Sequence, residues 1–154
     1  LPSWSDCSAL AGSAESCFDD PRVEVQYTDA FQWFIDNFPV DGPSRIDPFD
    51  VIIMDALDPQ IQKDFVNALY DEGPFLKSVP RALNSDGIFI AQVGESSDNL
   101  DPPEEYTSDL NRVRLIRSLS RLGFETIRSY TDHMHSGFFF PWQFIAAFKN
   151  SQTK

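Results

Sequence analysis

A chain of 154 residues with 42% hydrophobic and 14% aromatic content is long and apolar enough for one compact domain with a core, which excludes disorder for most of its length. Twenty-four acidic residues stand against 12 basic ones, and the formal charge of −12 disfavours nucleic acid and anionic membrane surfaces while tolerating a cationic ligand or partner. No apolar run approaches the roughly 20 residues needed to span a bilayer, and Leu1 to Leu10 does not read as a signal peptide.

Residues 1–20 are rich in Ser, Ala, Asp and Gly without a sustained period and read as an irregular lead-in, opening on Leu1 rather than Met as a processed or truncated piece would. Cys7 and Cys17 lack CxxC spacing and a neighbouring His; they read as free thiols, or as a local disulfide in an oxidising compartment. Residues 21–150 form the predicted domain, and 151–154 a tail. Val23 to Tyr27 is short, β-branched and alternating, as a strand should be. Thr28 or Asp29 can cap the following helix, whose Phe31, Phe34, Ile35 and Phe38 share one face. After a turn-rich stretch from Pro39 to Pro48, Phe49 to Asp55 carries the continuous apolar run of a parallel strand buried on both faces.

Two short helices are predicted between Gln60 and Leu83, separated at Gly73-Pro74, with Pro80 at a possible kink. Asn84, Asp86 and Gly87 form a turn into the strand Gly87 to Val93. The polar segment from Glu95 to Tyr106 is a loop long enough for a lid. Thr107 to Leu122 is an amphipathic helix with Leu110, Val113, Ile116 and Leu119 inward and Gly123 as its C-cap. Two closing strands, Phe124 to Tyr130 and Trp142 to Phe148, flank an unusual segment, Thr131 to Pro141. The order predicts an α/β fold of Rossmann-like, class I methyltransferase type: a mainly parallel sheet with helices on both faces and an antiparallel edge at the end.

In such sheets ligands bind beyond the carboxyl ends of the strands, which points to Asp29, the Asp55-Ala56-Leu57-Asp58-Pro59 stretch and Gln92 to Glu95. The pair Asp55 and Asp58 could hold an ammonium by charge and accept its proton, freeing a nucleophilic lone pair. Equally, Asp58 could start a turn before Pro59 and Asp55 cap a strand end. Asp29 is either a helix N-cap or a hydrogen-bond partner for an adenine amino group. Gln92 is either a ligand contact or a polar strand exit.

Taken together, DPRVEVQYTDAFQWF, FDVIIMDALDP and LYDEGPFLKSVPRALNSDGIFIAQVGES resemble, in order and spacing, segments of the polyamine aminopropyltransferases, the spermidine synthase-like family. The likeness runs from about Asp20 to about Phe148. It implies transfer of an aminopropyl group from decarboxylated S-adenosylmethionine to a polyamine amine, without a metal. By the same likeness Asp55 activates the amine, Asp58 and Gln92 bind it, and Asp29 with Ala30 contacts the adenine of the cosubstrate.

Departures from the family pattern shape a second expectation. Residues 1–20 show neither the family's glycine-rich loop nor its ribose-gripping acid, so the first strands of the sheet and half of the cofactor site are expected to be missing from this chain. Where the family often shows Tyr-Pro-Ser-Gly, this chain has Met134-His135-Ser136-Gly137. His133 and His135 share one side of a strand but have no evident third metal ligand. Phe138 to Trp142 reads as packing for the last strands or as an exposed apolar patch. The alternative function is therefore a non-catalytic binding or assembly subunit, with a protein partner covering an open sheet edge.

Overall fold

The computed structural model describes Phe18 and residues 20–55, 63–95, 108–132 and 141–150. Cys7, Cys17, Asp58, His133, Met134, His135 and the loop at 96–107 lie outside the described residues.

Helix α1, Ala30–Asn37, starts at Asp29, whose backbone is still extended and whose carboxylate accepts the backbone N–H groups of Phe31 and Gln32, at 2.9 and 3.1 Å. Its aromatic face lies against helix α3, Pro74–Ala82, with the Phe31 and Phe75 rings 4.4 Å apart. Phe38 ends the helix fully buried, its ring 5.8 Å from that of Phe49, and Pro39 forbids another turn. Strand β1, Phe49–Met54, follows. Helix α2, Lys63–Tyr70, and α3 are the two predicted short helices; Pro74 opens α3, and the helix runs through Pro80 to Ala82.

Strand β2, Leu83–Glu95, begins earlier than expected. The predicted turn at Asn84 to Gly87 is a bulge inside it: Phe49 pairs with Leu83 but Val51 with Ile88, so three extra residues are accommodated between the two pairings. Asn84 Nδ2 donates to Asp50 Oδ1 at 2.6 Å and ties the bulge to β1. Gly87 is required there, since a Cβ would stand 2.9 Å from the Leu83 Cβ.

Helix α4, Ser108–Arg121, buries Leu115, Ser118 and Leu119, with Val113 and Ile116 half-buried. Of the predicted inward residues, Leu119 is buried and Val113 and Ile116 are half-buried, while polar ties join α4 to α2 and the residues after it. Ser118 Oγ donates to the Tyr70 carbonyl at 3.0 Å, and Arg114 donates to Asn67 Oδ1 at 2.9 Å and to Asp71 Oδ2 at 2.7 Å. Gly123, at φ +92°, turns the chain out of the helix as predicted.

Strands β3, Thr126–Asp132, and β4, Trp142–Phe148, complete a four-stranded sheet of order β1-β2-β4-β3. β1 and β2 are parallel; β4 is antiparallel to both β2 and β3. The residues facing the helices, among them Ile52, Met54, Phe89, Ala91, Val93, Ile145 and Ala147, join Phe38, Leu69, Leu76, Val79, Leu115 and Leu119 in one core. On the opposite face Ile53 is 69% exposed and Ile90 and Phe144 are half-buried.

One predicted element is corrected. Val23 to Tyr27 is not a strand of the sheet, and Tyr27 is 98% exposed. A β-branched stretch becomes a strand only where a neighbouring edge supplies hydrogen-bond partners, and here a cleft separates it from β1. Among the described residues no helix is long and apolar enough to cross a membrane.

Candidate active site

The sheet brings two of the predicted site residues side by side. Met54 is in register with Ala91, so Asp55, the next residue out of β1, stands beside Gln92 at the carboxyl end of β2. Asp55 is exposed and Gln92 half-buried. Gln92 is also in register with Phe144, and Phe144 with Tyr130, so one row crosses the sheet from the carboxylate to an aromatic pair. The Tyr130 and Phe144 rings are stacked, 5.2 Å apart and 10° from parallel.

Beyond Gln92 the register slips, with Gln92 opposite Phe144 but Glu95 opposite Trp142, and Gly94 takes φ +93°. This bulge bends the strand as it leaves the site, a conformation glycine adopts without steric cost. Neither Gly94 nor the Tyr130–Phe144 stack is singled out by the sequence. The glycine looks like any strand glycine until a register is known, and the two aromatics are far apart along the chain.

Asp29 and Ala30 sit at the start of α1. Both capping bonds end on Asp29 Oδ1, and Oδ2 has no donor among the described residues. The Asp20-Pro21-Arg22 turn just before is held by its own ends: Asp20 accepts from the Arg22 backbone N–H at 2.9 Å and from its guanidinium at 2.9 and 2.7 Å. Those bonds, chiefly the side-chain ones, lower the Asp20 carboxyl to about 2. This aspartate therefore belongs to the turn.

A cleft of about 650 Å³ lies between residues 24–28 and the start of β1, lined by Glu24, Gln26 and Thr28 on one side, Phe49 and Ile46 on the other, and Ala30, Trp33 and Asn37 of α1. Of the predicted site residues, Ala30 lines it and Asp55 and Gln92 do not. Among the described residues no three His, Cys, Asp or Glu side chains gather as a metal site would require.

The family model described as the spermine/spermidine synthase domain matches residues 7–137. The chain belongs to this family. Among curated spermidine synthase-family relatives, the polyamine aminopropyltransferases of Pyrobaculum neutrophilum and Pyrobaculum aerophilum are 37% and 39% identical over 100 residues, a match covering 65% of this chain and 31% of theirs. Polyamine aminopropyltransferase 1 of Hyperthermus butylicus is 34% identical over 94 residues. The solved spermidine synthase of Thermotoga maritima superposes with a TM-score of 0.53 at 23% identity, over 86% of this chain and 36% of that one. A spermidine synthase in complex with the transition-state analogue AdoDATO gives 0.59 at 24%, over 86% and 38%. The two structures establish the methyltransferase-like fold, and the chain spans about a third of the length of the proteins it matches.

Proposed function

We propose that this chain carries the acceptor-activating part of an aminopropyltransferase site, serving transfer of an aminopropyl group from decarboxylated S-adenosylmethionine to an amine of a polyamine. The observation that carries the reading is the placement of Asp55 beside Gln92 at the carboxyl ends of two parallel strands, in a chain whose family and curated relatives are aminopropyltransferases by name. The amine nitrogen forms a bond to the propyl carbon next to the sulfonium as the carbon–sulfur bond breaks. Its electron pair passes to sulfur, methylthioadenosine leaves, and the proton lost by the amine goes to a carboxylate.

Asp55 is exposed at the strand end and suits that proton and the positive charge of the incoming ammonium. Gln92, its neighbour, orients the amine through its amide, and Asp58, three positions after Asp55 in the sequence, adds a second negative charge. Asp29 Oδ2 and the start of α1 at Ala30 receive the adenine of the cosubstrate. No metal is needed for this displacement.

The test is calorimetric titration with methylthioadenosine, followed by product detection with decarboxylated S-adenosylmethionine and putrescine. Saturable binding, with turnover reduced roughly 100- to 10,000-fold in Asp55→Asn and methylthioadenosine binding retained, supports the assignment. A folded sample that neither binds nor turns over overturns it and leaves a non-catalytic subunit as the better account. Undiminished turnover in Asp55→Asn removes that residue from its role.

A further inference from the structure

The row that begins at Asp55 does not end at Gln92. Residues in register across a sheet share a face, and so do residues two apart along a strand. Asp55, Gln92, Phe144 and Tyr130 therefore lie on the face turned away from the helices. Trp142 and Asp132, in register with each other, lie on the same face one step nearer the rim formed by the carboxyl ends of β1, β2 and β3. The burial of β4 alternates accordingly: Gln143, Ile145 and Ala147 are buried, while Trp142, Phe144 and Ala146 are half-buried.

Along this row the chemistry changes in a fixed order. Asp55 supplies a carboxylate and Gln92 an amide, the Phe144 and Tyr130 rings stack, and Asp132, half-buried beyond them, supplies a second carboxylate. Tyr130 is 48% exposed, so the stacked pair still presents ring surface to solvent. The face of an aromatic ring attracts a cation within about 6 Å, and the carboxylate two residues away adds charge. Arg128 is exposed two residues before Tyr130 on the same face; it repels a cation from that side and confines it to the rim at Asp132. Acid at both ends with rings between matches a ligand with ammonium groups at both ends and methylenes between.

We propose that Tyr130, Phe144 and Asp132 form a subsite for the far ammonium of the acceptor amine, and that they select a linear triamine over a four-carbon diamine. The inference rests on the acceptor-activating role proposed for Asp55. Length decides it. Neighbouring strands are about 4.8 Å apart, which puts Phe144 about 10 Å and Tyr130 about 14 Å from Asp55 across the sheet. An extended chain advances about 1.2 Å per bond, so putrescine, with about five bonds between its nitrogens, spans about 6 Å and stops short of the rings. Spermidine has about nine bonds between its end nitrogens and spans about 11 Å by the same measure, which brings its far ammonium onto the stacked pair.

The test is calorimetric titration of the chain with putrescine and with spermidine in the absence of cosubstrate, which reads binding and not turnover. Spermidine is expected to bind at least about tenfold more tightly than putrescine. That advantage should be lost in Asp132→Asn and in Tyr130→Leu and kept in Tyr130→Phe, with putrescine affinity unchanged in all three. Tyr130 is half in solvent and Asp132 ends its strand, so the variants keep the fold, and an unchanged far-UV spectrum verifies this; should Tyr130→Leu fail to fold, Asp132→Asn decides alone. Equal affinity for the two amines, with Asp55→Asn weakening both, overturns the proposal and leaves Asp55 in its role. An advantage that survives in Asp132→Asn and Tyr130→Leu comes from ligand charge alone and overturns it as well. Binding of neither amine by the folded chain overturns this proposal together with the acceptor-activating role.

Discussion

Asp29 holds a helix and is proposed to hold a ligand, and substitutions separate the two roles. Its Oδ1 accepts the N–H groups of Phe31 and Gln32, and the first turn of α1 contains no acidic residue to replace it. Asp29→Ala removes the cap, worth about 1 kcal/mol, and an anion at the positive end of the helix, worth about 0.3–1 kcal/mol at an exposed site. The expected loss is therefore about 1–2 kcal/mol, read as a lower urea midpoint with unchanged slope. Asp29→Ser keeps a capping oxygen and costs only a few tenths of a kcal/mol in the cap by the same rule, but it removes Oδ2. Methylthioadenosine affinity is expected to fall about tenfold, the equivalent of about 1.4 kcal/mol, in Asp29→Ser and Asp29→Ala alike. Wild-type stability in Asp29→Ala would refute the capping argument, and wild-type affinity in a stable Asp29→Ser would refute the ligand contact.

Three further outcomes test the fold and its charges. Leu119→Ala, at a fully buried position of α4, is expected to cost about 2–5 kcal/mol by chemical denaturation; a cost under about 1 kcal/mol would mean that α4 is not seated on this core. Lys149 Nζ donates to the carbonyls of Pro80 and Leu83, both at 2.8 Å, and Lys149→Met is expected to lose about 1–3 kcal/mol. Burial lowers its pKa from 10.5, so stability should rise with pH between the folded value and 10.5, where the unfolded chain binds more protons; Lys149→Met removes that rise in pH-dependent melts. Asp20, held at about 2 by Arg22, contributes stability that is complete above its ordinary 3.8 and fades as pH falls through about 2. Carboxyl NMR should show Asp20 titrating closer to its ordinary range in Arg22→Ala, which removes the guanidinium and keeps the backbone bond, and a titration unchanged from wild type would contradict the pairing.

Most of the elements were legible because their causes are local. Aromatic spacing and an acidic cap specify α1, Gly73-Pro74 separates α2 from α3, Gly123 closes α4, and the apolar runs of β1, β2 and β4 stand out against polar surroundings. Val23 to Tyr27 misled for the same reason: its composition is that of a strand, but ladder formation depends on a partner that composition does not contain. The bonds from Arg114 and Ser118 of α4 to Asn67 and Tyr70 of α2 were not legible, because they join residues more than 40 positions apart.

The order of motifs named the family and made Asp29, Ala30, Asp55, Asp58 and Gln92 the site candidates, since residue identity and spacing are properties of the chain. Register is not. That Asp55 stands beside Gln92, that Gln92 continues into the stacked pair Phe144 and Tyr130, and that β4 lies between β2 and β3 were decided when hydrogen bonds joined distant strands. The exposed edge of β1 belongs to the tertiary structure too, because an apolar run reads the same whether a neighbouring strand covers it or water does.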